Sequence, residues 1–292
     1  MRRLLLVLLV LAGCARTAPD PLPRQTDEMM QRQTQAGRLT YEMSRPDEAV
    51  SQYRAALTRA QARDDLGAIG DIGFNLAVAE LRANVPDRAL ADARATRLEL
   101  ERRGTTPFPA LLLAEATALY RTGTAPAADA MAQRIVTSED RDAAQGALFL
   151  RGLIADERGD EAGLVAALDG LNAASGPAPQ ADRAELAARL ALRHADPARA
   201  RQEAMTAAAL RQDTMDYRGV ARALSLQGEA AERSGDTEAA ADLFLRAGRS
   251  AAAQGDEASA RPWLLRAQTL ARGGSIGRDA TDLLHGLDQR DR

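Results

Sequence analysis

The amino-acid sequence predicts an all-α solenoid built from helix–turn–helix repeats. Three observations carry this. Hydrophobic residues make up 46% of the 292 while aromatics make up only 3%, and much of the apolar content is alanine, which favours helices packed closely through small side chains. Apolar residues recur in paired stripes at the i, i+3, i+4, i+7 spacing of a helix face. A marker in the second stripe of each pair returns at residues 49, 89, 128, 164, 200 and 240, intervals of 40, 39, 36, 36 and 40.

The N-terminus is different in kind. Arg2 and Arg3 precede an eight-residue apolar run, Leu4 to Leu11, followed by the small residues Ala12 and Gly13. This is the pattern of a secretory signal peptide over residues 1–13, too short to span a bilayer as a helix. Cys14 is the only cysteine in the chain, which excludes an internal disulfide and a zinc site of clustered cysteines. Leu11-Ala12-Gly13-Cys14 resembles the lipobox of bacterial lipoproteins. The resemblance implies that Cys14 is lipidated and becomes the first mature residue. Multiple acyl chains give stable anchoring where one gives only marginal binding, at ~0.8 kcal/mol per buried methylene. Ala15 stands where the inner-membrane retention signal of Gram-negative lipoproteins would place Asp, so the resemblance implies an outer-membrane protein facing the periplasm. Residues 14–24 hold three prolines and no helical periodicity; they read as a tether with a reach on the order of 30 Å.

The repeats occupy residues 25–272. The clearest is "ALSLQGEAAERSGDTEAAADLFLRAG", where Leu224, Gly228 and Ala231, with Val220 just ahead of the unit, form one stripe. Gly235-Asp236 breaks the helix, and Ala240, Leu243, Phe244 and Ala247 form the second stripe. A small residue lies twelve positions before each marker: Gly37, Ala77, Ala116, Gly152, Ala188 and Gly228. This unit resembles the tetratricopeptide repeat, with Gly228 matching the small residue of the first helix and Ala240, Phe244 and Ala247 the small-aromatic-small series of the second. The resemblance implies about six repeats in a right-handed superhelix. Leu164 departs from the small marker, and Ala93, Ala132 and Ala204 replace the aromatic, so the register of repeats three to five rests on spacing.

The turns fit the same frame. Pro46-Asp47, Pro86-Asp87, Gly159-Asp160, Asp196-Pro197 and Gly235-Asp236 each precede a second-helix stripe, and Gly255-Asp256 precedes a further helix running through Arg261 to Ala271. Asp can cap a helix, Gly can end one in the left-handed conformation, and Pro suits a first turn. Residues 174–180 (ASGPAPQ) read as a break, either a hinge between repeats four and five or a long loop. After Gly273-Gly274, residues 273–292 form a cap and tail, with a short helix over 278–287; such arrays need a terminal cap.

Charge and motif content narrow the function. The formal net charge is −3, and loss of residues 1–13 takes Arg2 and Arg3 and leaves −5. That argues against nucleic acid, which needs a basic surface. All 38 basic residues are arginine, a composition bias read as genomic. Two histidines, His194 and His285, lie far apart; His194 reads as a helix-end residue interacting with the dipole. No nucleophile elbow, zinc-peptidase motif or phosphate loop is present, so the expectation is no catalysis, no cofactor and no metal. Glu238 and Asp242 sit at helix-surface spacing, a solvated face rather than an acid–base pair. Trp263, the only tryptophan, reads as a plug in the last inter-helix gap.

The resemblance places a partner-binding groove on the concave face lined by first helices. The residues expected there are Thr34, Arg38, Tyr41, Asp71, Phe74, Asn75, Val78, Arg222, Ser225, Glu229 and Glu232. Some relatives clamp a peptide carboxylate with Lys, Arg and Asn. Here Thr34, Arg38, Ala110 and Ala114 occupy the approximate partner positions, so that clamp is absent and Asn75 is left to bond a peptide backbone or an adjacent helix. The function implied is an envelope scaffold that recruits other envelope proteins for pilus, secretion, outer-membrane or peptidoglycan machinery. The alternatives are an envelope enzyme of the peptidoglycan-cleaving transglycosylase type, or a glycan- or small-molecule-binding lipoprotein.

Overall fold

The computed structural model describes residues 26–290; Cys14, the signal peptide and the tether lie outside the described residues. The described chain is an all-helical solenoid with seven helix pairs. In order these are α1 (Glu28–Glu42) and α2 (Pro46–Ala62), α3 (Leu66–Arg82) and α4 (Pro86–Arg102), α5 (Pro109–Arg121) and α6 (Ala125–Gln133), α7 (Arg141–Arg158) and α8 (Glu161–Gly170), α9 (Pro177–Arg193) and α10 (Pro197–Asp213), α11 (Tyr217–Arg233) and α12 (Thr237–Ala253), and α13 (Glu257–Leu270) and α14 (Ser275–Arg290). Each helix packs on its chain neighbours, and the first helices α3, α5, α7, α9 and α11 also touch in succession.

Local chemistry explains the boundaries. Aspartates 27, 65, 140, 160, 196, 216, 236 and 256 each cap a helix, the carboxylate accepting from the backbone N–H three residues on. Each such cap contributes about 1 kcal/mol. Asp47 and Asp87 are not caps; they lie in first turns behind Pro46 and Pro86, where acidic side chains oppose the helix dipole's positive end. Gly159 ends α7 with φ 74°. The break read over 174–180 is shorter than expected: Pro177 starts α9, so 177–180 are its first turn, the position that tolerates a missing N–H. The terminal helix is longer than 278–287, because Gly273 at φ 80° turns the chain directly into Ser275.

The core runs through the array as a chain of small apolar clusters. Residues 49, 89, 128, 164, 200 and 240 all have 0% exposure, so Leu164 fills the same buried position as the alanines. The twelve-residue partners Gly37, Ala77, Ala116, Gly152, Ala188 and Gly228 are likewise buried. A pairing rule emerges between each of these and the residue sixteen further on. Gly37 faces Tyr53 and Gly228 faces Phe244; a Cβ on either glycine would come within 2.9 and 3.2 Å of the ring. Ala77 goes with Ala93, Ala116 with Ala132, and Ala188 with Ala204, each pair within one cluster. Gly152 is the exception: its face meets Leu186 of α9, 2.4 Å from where a Cβ would stand, and Ala167 at 3.2 Å, rather than Leu168. The alanines that replace the aromatic are thus matched by alanine in place of glycine.

Arginine links one pair to the next. Near the end of first helices, Arg121 donates to the Leu81 carbonyl, Arg193 to the Asp156 carbonyl and Arg233 to the Leu192 carbonyl, each on the preceding first helix; Arg82 donates to Ser44 Oγ in the turn beyond α1. The Leu81, Asp156 and Leu192 carbonyls each already accept a backbone N–H from the following turn, Asn84, Gly159 and Ala195 in order, so the guanidinium takes the second lone pair, and its fork can serve a carbonyl and a side chain at once.

The array also closes on itself. Asn84, in the α3–α4 turn at φ 61°, accepts from Arg121 and from Arg218 Nη1 (3.2 Å) and donates to the Gly255 carbonyl in the α12–α13 turn. Arg218 Nη1 also donates to Asp256 at 2.8 Å. One carboxamide therefore joins the second pair to the sixth and seventh. Burial, then the neighbouring Arg218 charge, lowers the Arg121 guanidinium to about 10. Asn84→Ala is expected to lose about 1.5–3 kcal/mol, the net worth of a bond to a charged group. It is also expected to raise the radius of gyration measured by small-angle scattering; an unchanged radius would show that the clasp does not hold the array closed.

Candidate functional site: the cleft between the first and third helices

Six of the predicted groove residues line one cleft. α1 contributes Thr34, Arg38 and Tyr41, and α3 contributes Asp71, Phe74 and Asn75; Tyr53 of α2 and Phe108 before α5 complete it. Its volume is about 1170 Å³. The α1 residues recur at helical spacing along one face. That face stays open because α1 packs closely on α2 but not on α3. Gly37 lets the Tyr53 ring approach the α1 backbone.

Four of the fifteen lining residues are aromatic. The chain has nine aromatic residues, and Tyr41, Tyr53, Phe74 and Phe108 all border this cleft. Phe74 and Phe108 meet edge to face with centroids 5.5 Å apart, a favourable ring arrangement. The Arg82 guanidinium lies 4.7 Å from the Tyr41 ring centroid. Polar groups at the rim are mostly engaged locally: Thr34 Oγ donates to the Met30 carbonyl at 2.9 Å, Arg38 Nε to Glu42 at 2.9 Å, and Asn75 Nδ2 to the Asp71 carbonyl at 2.8 Å. Asn75 therefore spends one amide hydrogen on its own helix rather than on a neighbour. The Asp71 side chain is exposed, and its carboxylate forms no ion pair among the described residues.

The other predicted residues are not in this cleft. Val78 is half-buried against the apolar cluster of Ala77, Leu100 and Leu111. Arg222 is a correction to the groove reading: its guanidinium is committed to Glu185, Nε at 2.9 Å and Nη2 at 3.2 Å, and lies 5.7 Å from the Phe149 ring. Ser225 Oγ donates to the Arg222 carbonyl at 2.8 Å. Glu229 pairs with Arg233 on its own helix and Glu232 with Arg266 of α13. On this side Arg222–Glu185 and Glu232–Arg266 join neighbouring first helices, and Glu229 borders a smaller polar cleft of about 290 Å³ with Asp156, Arg189, Arg193 and Arg233.

Glu185 is the centre of that charged cluster. It has 0% exposure and accepts from Arg189, Arg211 and Arg222 at 3.1, 2.8 and 2.9 Å. Arg211 also holds Asp182 at 2.8 Å and Asp216 at 2.6 Å, and Arg189 holds Asp156 at 2.9 Å. Burial alone would push Glu185 up; the surrounding guanidiniums, Arg222 foremost, outweigh it and hold the carboxyl far below the usual range. Sequence reasoning missed this cluster, because its members come from α7, α9, α10 and α11 and no spacing rule links them.

A second buried carboxyl behaves oppositely. Glu80 of α3 has 0% exposure; its Oε1 accepts from Arg54, which also holds Asp92 at 2.9 Å, and its Oε2 has no partner. Burial, reinforced by the Asp92 charge, pushes Glu80 up to about 7 against an ordinary 4.5. A raised carboxyl favours the protonated fold, so this group's contribution is full below pH 4.5 and is lost as pH rises towards 7. Glu80→Gln is expected to flatten that slope in denaturant unfolding between pH 5 and 8 and to be the more stable form at pH 8. An identical slope in both proteins would assign it elsewhere.

Glu115 of α5 is a third buried carboxyl, paired with Arg94 and Arg97 of α4, whereas the two histidines and the Glu238–Asp242 pair are surface features. His194 follows the end of α9 and its Nε2 lies 3.0 Å from Glu161 on an exposed face; His285 is exposed on α14. Glu238 is exposed and Asp242 pairs with Arg246. Trp263 packs, half-buried, on the apolar cluster of α11 to α14. Among the described residues no group of three or more His, Cys, Asp and Glu could hold a metal, and no helix is long and apolar enough to cross a membrane.

Comparison with known proteins places the fold. No family model matches the chain, and no curated protein matches it. Among solved structures, the chain is similar to a signal-transduction ATPase from Pyrococcus horikoshii that carries a tetratricopeptide repeat sensor. There the TM-score is 0.52 at 12% identity, with 89% of this chain and 42% of that one covered. It therefore spans about two fifths of that protein's length. A tetratricopeptide repeat protein from Parabacteroides merdae aligns over 88% of this chain and 98% of its own, with 16% identity and a TM-score of 0.49. The likeness is one of fold: fourteen described helices, paired and stacked as tetratricopeptide-type repeats.

Proposed function

We propose that the protein is an interaction scaffold, anchored by lipid on Cys14 to the outer membrane and facing the periplasm. In this reading it takes a segment of a partner envelope protein into the cleft between α1 and α3. The observation that carries the reading is the convergence of four of the nine aromatics on one open cleft in an aromatic-poor chain. Rigid aromatic anchors supply much of the binding energy at protein interfaces, and repeat solenoids present such extended surfaces. The anchor rests on Leu11-Ala12-Gly13-Cys14, and it would raise the effective concentration of any partner in the same envelope. No catalytic step is assigned. Two carboxyls are raised: Glu80, to about 7, has 0% exposure and cannot touch a glycan strand, and Asp182, pushed up by burial to about 6, is held by Arg211 inside the charged cluster, which weighs against the transglycosylase alternative.

Phe74→Ala removes an anchor of the cleft and is expected to weaken partner capture about 30-fold or more, the range of a buried aromatic hot spot. The measurement is crosslinking in native membranes, wild type against Phe74→Ala and Cys14→Ser. Unchanged capture by Phe74→Ala would remove the cleft from the reading. Labelling with a fatty-acid analogue tests the anchor, and an unlabelled Cys14 protein would exclude it.

A further inference from the structure

We propose that the proline-rich stretch of residues 16–24, Arg-Thr-Ala-Pro-Asp-Pro-Leu-Pro-Arg, occupies the α1–α3 cleft of its own chain when no partner does. The inference rests on the reading of this cleft as a site for a protein segment. Three features support it.

The first is chemistry. Pro19, Pro21 and Pro23 favour the polyproline II conformation, which is pre-formed and loses little entropy on docking, and aromatic-lined grooves are its usual receptors. Tyr41, Tyr53, Phe74 and Phe108 give this cleft such walls. The second is charge. Arg16 and Arg24 flank the stretch and Asp20 is its only acid, a net of +1. The cleft offers the exposed Asp71 carboxylate, without an ion pair among the described residues, while Arg38 and Glu42 satisfy each other. The third is placement. Met30 and Gln31, six and seven residues beyond Arg24, already line the cleft. Gln25 and Thr26 leave room for a turn before the Asp27 cap. The cleft follows α1 from Met30 to Glu42, roughly 18 Å at 1.5 Å per residue. Nine residues in polyproline II extend ~28 Å, enough to run its length. A short linker makes the docking intramolecular, with an effective concentration in the millimolar range.

The consequence is a coupling between cleft and anchor. With the stretch docked, the folded body is held near Cys14 and the aromatic walls are covered. A partner that takes the cleft displaces the stretch and releases its full reach from the membrane.

Hydrogen exchange on the full-length protein purified from membranes tests this. The comparison is wild type against a variant carrying Pro19→Ser, Pro21→Ser, Pro23→Ser and Arg24→Ser. The expected result is at least fivefold faster exchange over residues 30–42 and 68–75 in the variant, with α9 to α12 unchanged as the folding control. A synthetic peptide of residues 15–24 is expected to restore protection in the variant and to add none in wild type. Equal exchange in the two proteins overturns the proposal, as does protection that grows with protein concentration, which would mean docking on a second copy. If exchange is equal while Phe74→Ala still abolishes partner crosslinks, self-occupancy fails and the cleft's role stands.

Discussion

Replacing Glu185 by alanine is expected to destabilise the protein by about 3–5 kcal/mol, the range seen when one member of a buried ion cluster is removed. The reason is what remains. Arg189, Arg211 and Arg222 converge on this carboxylate from three helices, and Arg211 is itself only 5% exposed. Without Glu185 their charges repel across a space that water cannot readily enter. Glu185→Gln keeps the volume and an acceptor but not the charge, so it is expected to fall between wild type and alanine. The pH dependence gives an independent check. The carboxyl is depressed in the fold, so its contribution is present above the ordinary value of 4.5 and is lost only as pH falls below it. The gap between wild type and Glu185→Gln in urea unfolding should therefore be constant from pH 6 to 8 and shrink below pH 4.5. A gap that widens in acid would contradict the assignment of Glu185 as a permanently ionised hub.

How much of this was legible in the sequence depends on the range of the interaction. The helix pairs were, because their signals are local: apolar spacing within a helix, an Asp or Pro at its start, a Gly at its end. The marker series from Ala49 to Ala240 is legible for the same reason, since one buried residue per repeat recurs at the repeat length. The cleft was legible in part. Thr34, Arg38 and Tyr41 follow from the face of α1, and Asp71, Phe74 and Asn75 from the matching face of α3. Phe108 was missed, because it comes from the loop before α5 and reaches the cleft only through the stacking of three pairs. Arg222 shows the opposite failure. It was expected to face a groove, yet it meets Glu185 and Phe149, and the curvature that brings them together is a sum of small rotations over several repeats. Asn84 is the extreme case: it contacts Gly255, 171 residues away, and nothing in the short turn between Arg82 and Pro86 announces it. The arginine-only composition, read as genomic bias, also has a structural counterpart in Arg121, Arg193 and Arg233, each of which donates to a carbonyl of the preceding first helix.

The sixteen-residue pairing rule leads to the second large effect. Ala204→Phe places in the fifth repeat the aromatic that the sixth already carries at Phe244. It is expected to cost about 3 kcal/mol, at the upper end for overpacking a filled core. Ala204 has 0% exposure and shares its cluster with Ala188, Ala191, Leu226 and Ala230, so the ring has nowhere to go. In the sixth repeat the ring fits because Gly228 removes the methyl beneath it, where a Cβ would stand 3.2 Å from Phe244. Ala188→Gly alone is expected to lose about 1 kcal/mol through helix propensity. In the double variant the glycine opens the space the ring needs, so the two losses should not add. A double-mutant cycle in urea is expected to show at least 1 kcal/mol of favourable coupling, the behaviour of residues in direct contact. Simple additivity would mean that the glycine–aromatic pairs reflect chance composition and that ring placement is set by the neighbouring repeat instead. The same cycle on Ala77 and Ala93 tests whether the rule holds at the second repeat, whose first helix also lines the cleft. There the coupled variant has a further readout, since any tilt of α3 moves Phe74 and Asp71 and should change partner capture along with stability.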